Sequence, residues 1–228
     1  MSDIQFATLD ELITSRIDNL NDSVRKLLQI ASVLGAEFDE RDIRSIYEKL
    51  FSLQNEKMSI NNALSEAVEE GILEETIFEE EEEDIGATSD RLLSMTVDTE
   101  DSGATSSVNH MERKMYRFHH DTWLRIISSL LLTSFKRDIH LYAALTLESR
   151  QSNSNMIDYK SKLKLLRHWK GCGNIDKFCE IALQVGKSYK DHALFSSSIM
   201  VYNEAISFWK EQEPEDENRV AGKIFLLV

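Results

Sequence analysis

Apolar residues in this chain recur mostly at intervals of three and four, the period of a helix with one buried face. Leu9, Leu12, Ile13, Ile17 and Leu20 form the first stripe. Asn21-Asp22-Ser23 offers a cap for a second, made of Val24, Leu27, Leu28, Ala31 and Leu34 and closed by Gly35. Phe38 reads as a core plug, and Asp39 as the cap of a third helix carrying Ile43, Ile46, Tyr47, Leu50 and Phe51. A fourth helix runs from Ser59 to Glu70, with Ile60, Ala63, Leu64, Ala67 and Val68 on one side and Gly71 at its end. Two extended runs come next, Ile72–Phe78 and Tyr116-Arg117-Phe118-His119. Three helices and a β-hairpin predict a winged helix.

Thr122 to Leu132 and Phe135 to Glu148 return to helical spacing, so the predicted winged-helix domain comprises 1–78 and 116–148. The intervening 79–115 opens with an acidic run, Glu79 to Asp84, and continues in Asp, Ser, Thr, Gly and Ala. It has too few large apolar side chains to offset its ordering entropy and reads as a disordered insertion in the wing. Ser89, Ser94, Thr99, Ser106 and Ser107 lie near acids there; they suit acid-directed kinases or belong to a plain solvated loop. Residues 149–158 read as a polar linker. From 159 to 228 the pattern is one of helical hairpins, with Leu163, Leu166, Trp169, Gly171, Phe178, Ala182, Val185 and Tyr189, then Ala193, Ile199, Tyr202, Ala205, Ile206 and Trp209. Trp, Gly, Tyr and Ala at the crossings match a degenerate tetratricopeptide-like array. The apolar, uncapped end at Ala221 to Val228 predicts that this array is truncated. The expected fold class is therefore mainly α, with a winged helix and its small hairpin followed by tetratricopeptide-like repeats.

Composition narrows the possible functions. The formal net charge of -14 disfavours phosphate backbones and anionic membrane surfaces. The Ser59–Glu70 helix, which takes the place that reads DNA in winged-helix transcription factors, exposes Asn61, Asn62, Glu66, Glu69 and Glu70 and carries no Arg or Lys. A DNA-binding role therefore fits poorly. No apolar run is long enough to span a bilayer. The two cysteines, Cys172 and Cys179, have neither zinc-knuckle nor redox-pair spacing, and a cytoplasmic protein with two thiols is expected.

Leu12 to Ile43 carries Arg16, Asp18 and Leu20, then a capped helix ending in Ala31-Ser32-Val33-Leu34-Gly35, then Phe38. This segment is similar to the region after the nucleotide-binding domain in signalling ATPases of the STAND class. Phe118 to Leu147, with His120-Asp121, Arg125, Arg137 and His140, resembles the segment after the wing in the same proteins. The arrangement is most similar to the cyclase–ATPase–repeat proteins related to soluble adenylyl cyclase, and His168-Trp169 through Ala205 looks like their first repeats. Full-length members of that group are ATPases and adenylate or guanylate cyclases. The present sequence contains no GxxxxGK[ST] phosphate loop and no pair of metal-binding aspartates in a cyclase setting. The resemblance therefore implies a non-catalytic regulatory region with no catalytic residues, no metal and no cofactor of its own. ATP or ADP would be held by an upstream ATPase domain acting in cis, with protein partners at the repeats. The alternative is a stand-alone helical adaptor with no nucleotide link.

His120 and Asp121 are the candidate site. In STAND proteins a His-Asp pair at the end of the wing contacts bound ADP and keeps the switch closed, and here the pair stands at the corresponding strand-to-helix junction. His119 departs from the apolar residue usual before that pair. The other reading makes Asp121 a helix cap and His120 a partly buried polar residue. Arg125, one turn on, is placed to pair with Asp121. His140 shares a face with Arg137, Leu141 and Ala144 and reads as a polar contact between helices. Trp169, Tyr202 and Trp209 line a peptide groove or, as is commoner for such spacing, pack helix against helix.

Overall fold

The computed structural model describes residues 8–51, 60–78, 113–151 and 159–212. It is mainly helical, with one small antiparallel sheet. In chain order the elements are α1 (Leu9–Asp18), α2 (Asp22–Leu34), β1 (Glu37–Asp39), α3 (Glu40–Phe51), α4 (Ile60–Glu69), β2 (Leu73–Phe78), β3 (Arg113–Phe118), α5 (Asp121–Ser129), α6 (Thr133–Gln151), α7 (Tyr159–Cys172), α8 (Ile175–Asp191) and α9 (Phe195–Gln212).

Local chemistry sets the helix ends. Thr8 and Glu11 form a reciprocal capping box at α1. The Asn21 side chain accepts from Ser23 N at the start of α2. Gly35 ends that helix at φ 124, a conformation that side chains other than glycine rarely adopt. Asn174 caps α8 by accepting from Lys177 N.

Glu37–Asp39 forms a third strand that the sequence pattern did not signal, because three residues are too few to show a period. The strand order is β1-β3-β2, with Phe38 opposite Tyr116 and Glu75 opposite the same residue on the other side. Alternation along β3 turns Tyr116 and Phe118 inward, where both rings meet Phe38, at 6.1 and 6.2 Å between centroids. Phe38 is thus the expected plug, seated in a strand. Strand β3 begins at Arg113, so residues 113–115 belong to the sheet and not to the acidic insertion. Likewise α6 continues through 149–151, which the sequence pattern assigned to a linker. The acidic run, the Ser/Thr positions within it, most of the linker and the apolar tail at 221–228 lie outside the described residues.

Two apolar cores share one helix. The first gathers Val24, Leu27, Leu28, Ile43, Ile46, Leu64, Ile72, Leu73 and Ile127 from α2 to α5, and reaches Ile139 and Ala143 of α6. The second begins at Ala144, the next residue, and continues through Leu165, Trp169, Phe178, Ala182, Val185 and Ala205. Each fully buried Leu, Ile or Phe contributes about 1.5–3 kcal/mol. These two cores, and not the surface ion pairs, hold the fold. The first stripe is only half used. Ile17 and Leu20 are buried and Ile13 packs against the core, whereas Leu9 and Leu12 face solvent, so the apolar packing of α1 lies in its middle and C-terminal turns. There Arg16 lies over the Trp123 ring at 5.3 Å and donates to the Glu70 carbonyl.

Asp39 is buried at the start of α3 and caps it, accepting from Arg41 N at 2.7 Å. Burial raises the Asp39 pKa, but the hydrogen bonds from Arg41 and the charges of Arg41 and Arg150 outweigh that and hold it below the ordinary carboxylate value. Arg150, near the end of α6, also meets Asp42 at 2.5 Å, which ties α6 to α3 by charge as well as by packing.

Helices α6 to α9 stack in sequence, α6 on α7, α7 on α8 and α8 on α9. A glycine sits at two of the crossings. The His140 ring lies against Gly171, where a methyl group would come within 2.5 Å of it. Tyr202 packs on Gly186 in the same way, and the Ser198 hydroxyl donates to the Gly186 carbonyl at 2.8 Å. Trp169 and Trp209 are buried between helices, as aromatics at this spacing usually are. Gly186→Ala should destabilise the protein by about 1–3 kcal/mol through overpacking. The cost should shrink in a Tyr202→Leu background. Urea denaturation of the four members of this double-mutant cycle checks the coupling, and additive costs would mean that the ring is not the obstacle.

Candidate functional site

The turn between β3 and α5 carries His119, His120 and Asp121. Strand β3 ends at Phe118, whose inward ring anchors the strand, and α5 starts at once because Trp123, Ile126 and Ile127 are drawn into the first core. His119 and His120 therefore sit on a short, exposed bend between two anchored elements.

His120 occupies the N-cap position in extended conformation, φ -140 and ψ 142, but makes no side-chain capping bond. Asp121 is the first helical residue. The expected Asp121 cap is not formed, because the helix begins one residue early and the carboxylate lies beside the first turn, where it complements the helix dipole without accepting a capping bond. His120 is exposed and not partly buried; its one neighbour of note is the His119 ring, edge-on at 4.3 Å. His119 itself pairs with Glu74, which also accepts from Arg117 at 2.6 Å. Those two partners hold the Glu74 pKa below its ordinary value, the Arg117 hydrogen bond first.

Arg125 does not pair with Asp121. It makes a two-pronged contact to Asp10 of α1, at 2.7 and 3.1 Å, and lowers the Asp10 pKa. Helix α1 lies against α5 and brings Asp10 to the guanidinium, which the one-turn spacing within α5 alone does not reveal. The Asp121 carboxylate is left with no hydrogen bond or ion pair among the described residues. His120 and Asp121 thus present an imidazole and a carboxylate side by side to solvent, and neither lines the cavities of about 620 and 430 Å³ found elsewhere. Such a pair can accept and donate hydrogen bonds to a group brought from outside this chain.

The remaining predicted polar residues assemble at the α6–α7 crossing. His140 Nδ1 lies 3.0 Å from His168 Nδ1, so one ring donates to the other. His140 is the inter-helix contact expected of it, on the face with Leu141 and Ala144 that joins the second core. Desolvation and the charges of Arg167 and Lys136 lower the His140 pKa to about 4. Desolvation, then Arg167, His140 and Lys164, lower that of His168 to about 3. Arg137 lies apart, beside Gly173 in the 620 Å³ cavity at the start of α8.

Sequence reasoning missed two participants. His168 stood on a core-facing position, and a second buried histidine is itself a signal that a partner must exist. Arg167 gave no signal. It reaches across to α2 and donates to the carbonyls of Val33 and Leu34 at 2.6 and 2.7 Å, satisfying the open end of that helix. Gly35, with no Cβ, leaves room for the guanidinium.

Both histidines of the pair take up protons near pH 6.5 when unfolded and resist protonation when folded. The unfolded state therefore binds more protons below that pH, and stability falls as pH falls from 6.5 towards 4. Urea denaturation between pH 6.5 and 5, above the carboxylate range, should lose roughly 1 kcal/mol per pH unit per histidine. His140→Gln should reduce this slope by about half; an unchanged slope would place the titration elsewhere.

The chain matches no protein-family model, no curated protein and no solved structure.

Proposed function

We propose that this chain is a non-catalytic regulatory region that reports the state of a neighbouring ATP-binding domain and presents helical repeats to protein partners. The observation that carries this reading is the placement of His120 and Asp121. They lie exposed at a strand-to-helix bend between anchored elements, and their side-chain polar groups make no hydrogen bond among the described residues. A helix start that served packing alone would gain by using the carboxylate as a cap. Three further features support the domain reading. The order α2, β1, α3, α4, β2, β3, with strands arranged β1-β3-β2, suits a winged helix. The exposed face of α4 carries Asn61, Asn62 and Glu69, with Glu70 just after it and Glu66 half-buried, which suits packing against protein better than against DNA. The consecutive stacking of α6 to α9 suits the start of a repeat array.

In this reading the imidazole of His120 donates to a phosphate of ADP held by the partner domain, and Asp121 orients it. ATP or ADP belongs to that domain, which acts in cis. In the full-length protein, replacing His120 and Asp121 together with alanine should speed release of a fluorescent ADP analogue and raise basal activity, with about a tenfold change for loss of one charge-assisted bond. Unchanged release, or a full-length reading frame without a phosphate loop, would sink the proposal.

A second reading, a helical adaptor without a nucleotide link, draws on a different observation. Phe195, Ile199 and Met200 of α9 are exposed by 58, 59 and 71%, an apolar stripe of the kind that partner helices cover. The ADP-release measurement separates the two readings, since an adaptor has nothing to release.

A further inference from the structure

A cleft of about 430 Å³ lies where the end of α2 meets α5, α6 and α7. Lys136, Arg167 and Lys170 line it together with Ser128 and His140, and no carboxylate does so among the described residues. In a chain of net charge -14, three cations on one concave surface mark a local reversal of the field. Their partners leave much of that charge uncompensated. Lys136 donates to the Ser128 hydroxyl at 3.1 Å. Arg167 meets the two carbonyls at the end of α2. Among the described residues only Lys170 has a carboxylate, Glu204 at 2.7 Å, and it lies on α9. The neighbouring histidines register the same field, because Arg167 and Lys136 both depress His140. One part of the wall is apolar, with Val33, Ala36 and Leu124.

We propose that this cleft binds a small phosphate monoester. Lys136 and Arg167 meet the dianion, the Ser128 hydroxyl donates to one of its oxygens, and the organic remainder lies against Val33, Ala36 and Leu124. Two cations match the charge of a phosphate monoester, about -2 at neutral pH, better than the single charge of a carboxylate. The volume exceeds what inorganic phosphate fills, and the apolar wall gives the remainder a place. The site is independent of His120 and Asp121 and would exist whether or not those residues sense a nucleotide.

Heteronuclear NMR titration of the chain at low ionic strength, with phenyl phosphate, inorganic phosphate and benzoate as probes, tests the proposal. Phenyl phosphate should give saturable shifts confined to the backbone amides around Lys136, His140 and Arg167, and should bind several-fold tighter than inorganic phosphate or benzoate, as expected for added apolar contact. Its negative charge should also move the His140 titration upward. Lys136→Gln, with its fold checked by circular dichroism, should weaken phenyl phosphate about tenfold, whereas Lys187→Gln on the exposed side of α8 should not. Shifts spread over surface lysines, equal weakening by both variants, or affinity for the ester no greater than for inorganic phosphate would each overturn the assignment.

Discussion

Helix α6 is the constraint on which the rest of the architecture depends. Ile139 and Ala143 belong to the core built by α2 to α5, and Ala144, one residue on, to the core built by α7 to α9. Successive residues on a helix are about 100° apart, so neighbouring alanines can serve two cores only if the helix is a shared wall. A small side chain at both positions lets helices approach from both sides. The α3 side is further held by Arg150 on Asp42 and by Lys49 donating to the buried Thr146 hydroxyl at 2.9 Å. On the α7 side the contact is His140 against Gly171 and His168. A disturbance at α6 is therefore felt in both halves.

The polar groups around this wall differ in their energetic roles. The ion pairs on the sheet surface, Glu75 with Lys114 and Glu74 with Arg117, are exposed and add little beyond fixing side-chain geometry. The His140–His168 pair is different, because both rings are out of water and leaving either unpartnered would carry a desolvation penalty. Arg167 is different again. It brings a full positive charge to the partial negative end of α2 and so joins α7 to α2 electrostatically as well as by hydrogen bonding. That contact and the shared helix orient the later helices relative to the first core.

The candidate site at His120 and Asp121 shows where local rules give way. A strand ending in His-Asp before a helical pattern was enough to place a junction there, and β3 and α5 do meet at those residues. Local rules also favour an Asp cap and an Asp121–Arg125 pair. Neither forms, because the first core pulls Trp123 inward and starts the helix at Asp121, and because α1 supplies Asp10 to Arg125 from outside α5. Once those two demands are met, the His120 and Asp121 side chains make no capping bond or ion pair among the described residues. The half-used stripe on α1 has a related cause. Arg16 fixes that helix by its last turn against Trp123 and Glu70, which turns Leu9 and Leu12 away from the core.

By itself the sequence determined the helical segments, the caps at Asn21 and Asp39, the stop at Gly35, the two paired strands β2 and β3, the core position of Phe38 and the polar role of His140. These come from periodicity, capping and glycine conformation, which act over a few residues and can be read along the chain. Only the tertiary structure decided that Glu37–Asp39 joins the sheet, that α6 divides two cores, that His168 partners His140, and that Arg167 and Arg125 look to α2 and α1. Those contacts link residues from 28 to 134 positions apart. Their geometry depends on which faces meet when apolar surface is buried, and a hydrophobic stripe says that a face is covered without saying which helix covers it.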